Sequence, residues 1–172
     1  METRDEKISI RISKLSDGIH EYHFNVEPAV LALAEEFREP VKIDLRLDKS
    51  HRQISATANI ATSAAFSCDR CTEGFTRPVA SKYAMVFVSD ETDAGGLPED
   101  QVALIDMNSP ELDLTDDMRQ SIELAVPLKL LCRDDCKGLC PRCGTNRNTG
   151  SCDCTTEPID SRWEELKKLM ND

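Results

Sequence analysis

Eight cysteines arranged as four close pairs constrain this chain more than any other feature of it. Six fall within residues 132–154, which read CRDDCKGLCPRCGTNRNTGSCDC, and the other two form Cys68-Asp-Arg-Cys71. The pairs are Cys68/Cys71, Cys132/Cys136, Cys140/Cys143 and Cys152/Cys154. The segment Gly-Leu-Cys-Pro-Arg-Cys-Gly at 138–144 has the form of a metal-binding turn. Two thiolates with two residues between them grip one ion, intervening N–H groups point at the sulfurs, and Gly144 permits the positive φ that completes such a turn. Eight thiolates make two complete tetrahedral sets, which points to two Cys₄ zinc sites, two Zn²⁺ per chain. Cys140, Cys143, Cys152 and Cys154 are near enough in sequence to close one site locally. Cys68 and Cys71 then have to meet Cys132 and Cys136 across the fold. Spacing alone leaves the exact sharing open.

Three other chemistries use paired cysteines. Disulfides require an oxidising compartment, and the opening Met-Glu-Thr-Arg-Asp-Glu-Lys is charged with no apolar signal core after it. Iron–sulfur clusters also take four thiolates, but the usual ferredoxin spacings are absent. Redox-active CxxC pairs begin a helix after a strand, a context that these Pro- and Gly-bearing turns do not suggest. The expectation is a cytoplasmic protein with reduced, metal-bound thiols. No apolar run approaches the length of a membrane span.

The formal charge of −11 counts cysteine as neutral. Eight thiolates would add eight negative charges and two Zn²⁺ return four, leaving about −15. A chain this acidic is not a general electrostatic binder of nucleic acid, so any RNA contact has to be local or pass through a basic protein partner. Lys129, Arg133, Lys137, Arg142 and Arg147 lie in or beside the cysteine cluster and are its best candidates for contact with phosphate or a partner. The competing explanation is that they merely offset the −2 left on each Cys₄–Zn²⁺ set. From residue 90 to residue 117 there are many carboxylates and no Lys or Arg. A solvated face accounts for this stretch better than an acidic docking surface or paired catalytic carboxylates.

Periodicity gives the rest. Ile8, Ile10 and Ile12 alternate with polar residues, Asp17-Gly18 turns the chain, and Tyr22, Phe24 and Val26 alternate in turn, a strand–turn–strand signal. Pro28 opens an expected helix over 28–37, with Val30, Leu33, Ala34 and Phe37 as its stripe, stopping before Pro40. Val41, Ile43, Leu45 and Leu47 mark a half-buried strand, and 53–67 and 75–88 continue with period two. Cys68 and Cys71 thus sit at the tip of a long antiparallel hairpin, with Gly74 easing the return. A further strand is expected over 102–105. Thr115 caps a helix over 116–126 with Met118, Ile122, Ala125 and Val126 buried, and Pro127 ends it. Ser161 and Glu164 have the capping-box form before a final helix carrying Trp163, Leu166, Leu169 and Met170.

The expected fold is α+β, a mainly antiparallel twisted sheet from 8–13, 20–26, 41–48, 53–67 and 75–88 with a few packed helices and a C-terminal cysteine-rich zinc-binding segment. Two parts are expected: an α+β domain over 1–131 and the cysteine-rich segment with its terminal helix over 132–172, packed on the first. His20, His23 and His51 lie far from the cysteines in sequence, and complete thiolate sets leave no vacancy for them. The chain has no nucleophile elbow, phosphate loop or dinucleotide fingerprint. A closed Cys₄ site is structural, so a non-enzyme without a small-molecule substrate is expected.

Cys68-Asp-Arg-Cys71 at a hairpin tip, Ile122-Glu-Leu-Ala-Val-Pro127 closing a helix, Cys136-Lys-Gly-Leu-Cys-Pro-Arg-Cys-Gly144, then Cys152-Asp-Cys154 and Asp160-Ser-Arg-Trp occur in that order. With them the chain resembles the YceD-like family, the bacterial large-ribosomal-RNA accumulation proteins, over most of its length. The resemblance implies a role in accumulation or processing of large-subunit ribosomal RNA, with that RNA or a ribosomal protein as partner. It brings no agreed catalytic residue. The alternative is a zinc-stabilised protein–protein adaptor unrelated to ribosomes; a thiol redox protein is a weaker third.

Overall fold

The structure is a computed structural model and describes residues 7–106 and 109–154. The final helix expected around Trp163 lies outside the described residues.

Period-two burial builds the sheet. In β3 (Val41–Lys49) the side chains of Val41, Ile43, Leu45 and Leu47 are essentially fully buried, while Lys42, Asp44, Arg46 and Asp48 face water. Each of those four inward side chains contributes about 1.5–3 kcal/mol by leaving water. β4 (Gln53–Ser67) answers with Ile54, Ala56, Ala58, Ile60, Ala64 and Phe66, and β5 (Gly74–Val88) with Val79, Tyr83 and Phe87. Small alanines stand opposite large neighbours, as in Leu47↔Ala56, Leu45↔Ala58 and Ala58↔Tyr83, so the shared face fills without crowding. β2 (Gly18–Val26) pairs antiparallel with β3, and β6 (Val102–Leu104) runs parallel to β5, giving the order β2-β3-β4-β5-β6. One face is packed and the other solvated, as the alternation predicts.

Helix α1 (Thr115–Ala125) covers the packed face with Met118 and Ile122. The buried Tyr83 hydroxyl on β5 donates to Asp117 Oδ1 at 3.0 Å and ties the two together. Burial and the Asp117 charge both push the Tyr83 phenol up, so it stays a donor at any ordinary pH. Val126 is extended before Pro127, which ends the helix as expected.

Three expectations need correction. Ile8, Ile10 and Ile12 are buried, but 8–13 is not a strand of the main sheet. Only β1 (Ser9–Ile10) is extended, and it pairs with β7 (Leu112–Asp113) in a separate two-stranded ribbon before a 3₁₀ turn at Ile12–Lys14. The alternation reported burial correctly and said nothing about the partner, which lies about a hundred residues away. The helix expected over 28–37 is only a 3₁₀ turn at Pro28–Leu31, and Ala32 then enters the left-handed region with φ 48°. Residues 36 and 37 instead give their backbone to β4, Glu36 accepting the Ala65 N–H and Phe37 bridging to Ala64, which a helix running through 37 could not do. Among the described residues α1 is therefore the only α-helix. Thr115 is its first residue and not its cap: Asp113 Oδ1 accepts the Thr115 N–H at 2.9 Å, and Thr115 Oγ1 accepts the Ile8 N–H at 3.0 Å.

An extension of the hairpin positions the cysteines. β4 and β5 pair without interruption from Gln53↔Val88 to Ser67↔Gly74, whereas β3 follows β4 only as far as Ala61. The remainder projects as an arm. Residues 36–39 brace it: Ala65 N–H donates to the Glu36 carbonyl (2.8 Å) and Thr62 Oγ1 to that of Glu39 (3.1 Å), and Phe37 bridges to Ala64. The rings of Phe37, Phe66 and Phe75 follow one another along the arm, 6.5 and 6.2 Å between centroids. Phe75 then packs on the cysteines at its tip.

Candidate metal centres

Two turns of the same geometry carry the two Cys-x-x-Cys pairs. At the arm's tip, Cys68 N–H donates to the Glu73 carbonyl (2.9 Å) and Thr72 N–H returns to that of Cys68 (2.8 Å). In the C-terminal segment, Cys140 N–H donates to the Thr145 carbonyl (2.8 Å) and Gly144 N–H to that of Cys140 (2.9 Å). The residue after the second cysteine is left-handed in both, Thr72 at φ 60° and Gly144 at φ 73°. Gly144 plays the part its sequence suggested. On the hairpin the bend falls on Thr72, whose hydroxyl donates to the Cys71 carbonyl (2.7 Å), while Gly74 is an ordinary paired residue opposite Ser67.

The segment after α1 returns to the first turn. Asp69 N–H donates to the Leu130 carbonyl (2.8 Å), and Leu130 N–H donates to Asp69 Oδ2 (2.6 Å). This delivers Cys132 and Cys136 beside Cys68 and Cys71. The Sγ atoms of Cys68 and Cys136 are 3.8 Å apart, and those of Cys71 and Cys132 are 3.7 Å apart. A disulfide needs about 2.05 Å. Four sulfurs about 2.3 Å from a central Zn²⁺ form a tetrahedron with edges of about 3.8 Å, so this set fits a four-thiolate ion. Cys140, Cys143, Cys152 and Cys154 form the second set. In each set all four sulfurs lie within 4.8 Å of one another, and either set could hold a metal ion.

Electrostatics agrees with that fit. Burial pushes the Cys68 thiol up, but the amides of Cys132, Arg70 and Cys71 outweigh it and hold it at about 6. The amides of Cys143 and Arg142 likewise hold Cys140 at about 6 against its burial. Burial and the thiols of Cys71, Cys68 and Cys136 push Cys132 up to about 12, and the Cys143 thiol with burial does the same to Cys154. Four thiols this close resist ionising together unless a cation sits among them.

The two turns also touch each other. Arg70 Nη1 donates to the Cys136 carbonyl (2.8 Å), and the Arg70 carbonyl accepts Leu139 N–H (3.0 Å). Asn146 Nδ2 donates to Glu73 Oε1 (2.8 Å). Asn148 Nδ2 lies 3.3 Å from Cys136 Sγ, so a residue of the second loop reaches the first sulfur set. Sequence reading passed over Arg70, Asn146 and Asn148. The Asn-Arg-Asn-Thr run between two cysteine pairs was the available signal, since Asn side chains bond readily to nearby backbone in turns.

The five basic residues are all exposed around these turns. Arg147 Nη2 points at Cys140 Sγ (4.0 Å), and Arg133 bonds Asn148 Oδ1 (2.8 Å) and pairs with Asp135 (3.4 Å), so both already serve the cluster. Among the described residues Lys129 and Lys137 make no ion pair. Arg142 is exposed on the second turn, between Cys140 and Cys143. No histidine among the described residues enters either sulfur set; His23 pairs with Asp44 (2.7 Å) on the sheet.

Residues 56–170 match the profile of a family described as large ribosomal RNA subunit accumulation protein YceD. A protein of Arabidopsis thaliana named large ribosomal RNA subunit accumulation protein YCED homolog 1, chloroplastic, is 21% identical over 155 residues, 76% of this chain and 48% of that protein. Its Zea mays namesake is 23% identical over 147 residues, 70% of this chain and 50% of that protein. An uncharacterised protein of Mycobacterium tuberculosis is 27% identical over 133 residues, 74% of this chain and 61% of that protein. The chain thus spans about half the length of the plant relatives. No solved structure matches it. The matched region takes in most of the chain and all eight cysteines, and the chain belongs to the large ribosomal RNA subunit accumulation protein YceD family.

Proposed function

We propose that this chain is a non-catalytic, zinc-binding accessory factor of ribosome biogenesis that supports accumulation or processing of large-subunit ribosomal RNA. The observation that carries it is that the region shared with the family holds both four-cysteine sets at the end of a braced arm. In this reading two Zn²⁺ bind per chain, one on Cys68, Cys71, Cys132 and Cys136 and one on Cys140, Cys143, Cys152 and Cys154. All-thiolate sets with no open position favour a structural role for the metal. Residues 1–131 act as the α+β platform, and 132–172 as the zinc-bearing part that meets the target. Lys129, Arg133, Lys137, Arg142 and Arg147 make that contact, with ribosomal RNA or with a ribosomal protein. Reduced thiols of this kind suit the cytoplasm, where we place the work. No helix among the described residues is long and apolar enough to cross a membrane.

The test has two arms. Elemental analysis of protein purified without chelator is expected to give two Zn²⁺ per chain; no zinc with four disulfides sinks the metal reading. Co-sedimentation with large-subunit precursors is expected and should weaken with salt. A zinc-loaded chain that never meets those precursors would instead be the adaptor of other partners.

A further inference from the structure

Asn148 lies in the loop of the second sulfur set, but every polar atom of its side chain is used at or toward the first. Its Oδ1 accepts the Lys137 N–H and the Arg133 guanidinium, both at 2.8 Å. Those two donors flank Cys136 and fix the oxygen side of the amide, so the nitrogen side has to face the sulfur. Nδ2 then donates to Cys136 Sγ (3.3 Å) and to Asn146 Oδ1 (2.9 Å). The loop holding it is short and self-bonded: Arg147 N–H reaches the Gly138 carbonyl (2.9 Å), and Gly150 N–H reaches that of Asn146 (2.9 Å). Its two ends are pinned by Cys143 on one side and Cys152 on the other.

We infer that Asn148 is a positioning residue for the first metal centre and that, through it, the two centres bind metal with positive coupling. This rests on the zinc reading proposed above. A four-thiolate Zn²⁺ set carries a net −2, and an N–H donated to one of its sulfurs stabilises that charge and fixes the sulfur's direction. The donor is in place only when the 144–150 loop is formed, and closing the second set around its ion forms it. Metal in the second centre therefore raises affinity at the first, and linkage requires the reverse to the same degree. The Leu139 N–H bond to the Arg70 carbonyl joins the same two turns through the backbone and acts in the same direction.

Asn148→Asp tests this, because it keeps the acceptor for Lys137 and Arg133 and loses the donor to Cys136. Co²⁺ affinities, read from the thiolate-to-cobalt charge-transfer band under chelator competition, are measured in the full-length chain. Asn148→Asp is expected to weaken the first centre by about 10–100-fold. In a Cys68→Ser/Cys71→Ser background, where only the second centre remains, the same change is expected to do nothing. With the second centre disabled by Cys143→Ser/Cys154→Ser, the first centre should already be weak, and Asn148→Asp should add little. Independently of any variant, ¹¹³Cd-loaded wild type is expected to show scalar coupling between the Asn148 side-chain amide proton and the first-centre cadmium. An unchanged first centre in Asn148→Asp, or a second centre that weakens in the Cys68→Ser/Cys71→Ser background, overturns the inference, as does absence of the cadmium coupling. A wild-type chain that binds no metal overturns the zinc reading with it; two ions bound with an indifferent Asn148 overturns the inference alone.

Discussion

The Arg70 carbonyl lies 3.0 Å from the Leu139 nitrogen and would lie 3.0 Å from a β-carbon on residue 138. The two cysteine turns approach so closely there that a β-carbon would press on the Arg70 backbone, and Gly138 also holds φ at 71°. Gly144 has nearly the same φ, 73°, with nothing within 4 Å of its missing β-carbon. Substituting Ala at 144 should therefore cost only the left-handed backbone, about 1 kcal/mol. Gly138→Ala adds a tight contact with the Arg70 backbone to the same left-handed strain, and should cost more. Thermal melts and metal affinities of the two variants check the order. Equal losses would mean the turns do not meet as described.

Removing metal should unfold one end of the molecule only. The sheet is stabilised by apolar side chains such as Ile43, Leu45 and Ile60, while the tip holds a small cluster of Cys68, Cys71 and Cys136 with Phe75 and Leu131 beside it. Binding energy of a structural ion is folding energy for so small a unit. Under a strong chelator, amides of Thr72, Leu139 and Gly144 should lose protection from hydrogen exchange, and those of Ala56 and Ala58 should keep it. Loss of the whole sheet in the same step would contradict this separation.

Asp113 ties β7 to the start of α1, and its pH dependence has a definite sign. Burial pushes its carboxyl up, but the hydroxyl and amide of Thr115 and the Lys7 charge outweigh it and hold the pKa below the ordinary carboxylate value. A folded pKa below the unfolded one gives stability that is fully present above about pH 3.9 and is lost as pH falls through the lower folded value. Asp113→Ala should cost about 0.5–1.5 kcal/mol at pH 7, the range for one net hydrogen bond. The gap between wild type and variant should close in acid. A difference that stays constant down to about pH 2, well below the ordinary carboxylate range, would place the effect elsewhere.

The sequence showed local regularities well and distant choices poorly. Val41, Ile43, Leu45 and Leu47 give a strand wherever that stretch lies, because burial of alternate residues is a local property. The four cysteine pairs are equally local, and their chemistry follows from residue type. Ile8 and Ile10 were readable as buried, but the choice of β7 as partner depends on where α1 begins, about a hundred residues later. Ala32 and Thr72 adopt positive φ without being glycine, so no composition signal marks either turn. Asn148 could not be assigned to the first sulfur set because it sits in the sequence of the second.

Two of the basic residues at the tip already serve the sulfur sets, and this sharpens a test of target binding. Arg147 and Arg133 are engaged with Cys140, Asn148 and Asp135, so changing them would confuse metal binding with partner binding. Lys137 is exposed, with its backbone N–H turned toward Asn148, and Arg142 is exposed on the turn between Cys140 and Cys143. Side chains on a turn fixed by metal lose less freedom on docking than those on a loose loop. Lys137→Glu with Arg142→Glu should therefore abolish association with large-subunit precursors while two Zn²⁺ are retained. If phosphates are the target, the slope of log affinity against log salt should shrink by roughly 0.7–0.9 for each of the two charges when it is neutralised singly. Association that survives the double variant with metal intact would leave these two residues as charge balance for the sulfur sets. The search for the interface would then move to the acidic stretch from 90 to 117, whose carboxylates suit a basic protein and not an RNA backbone.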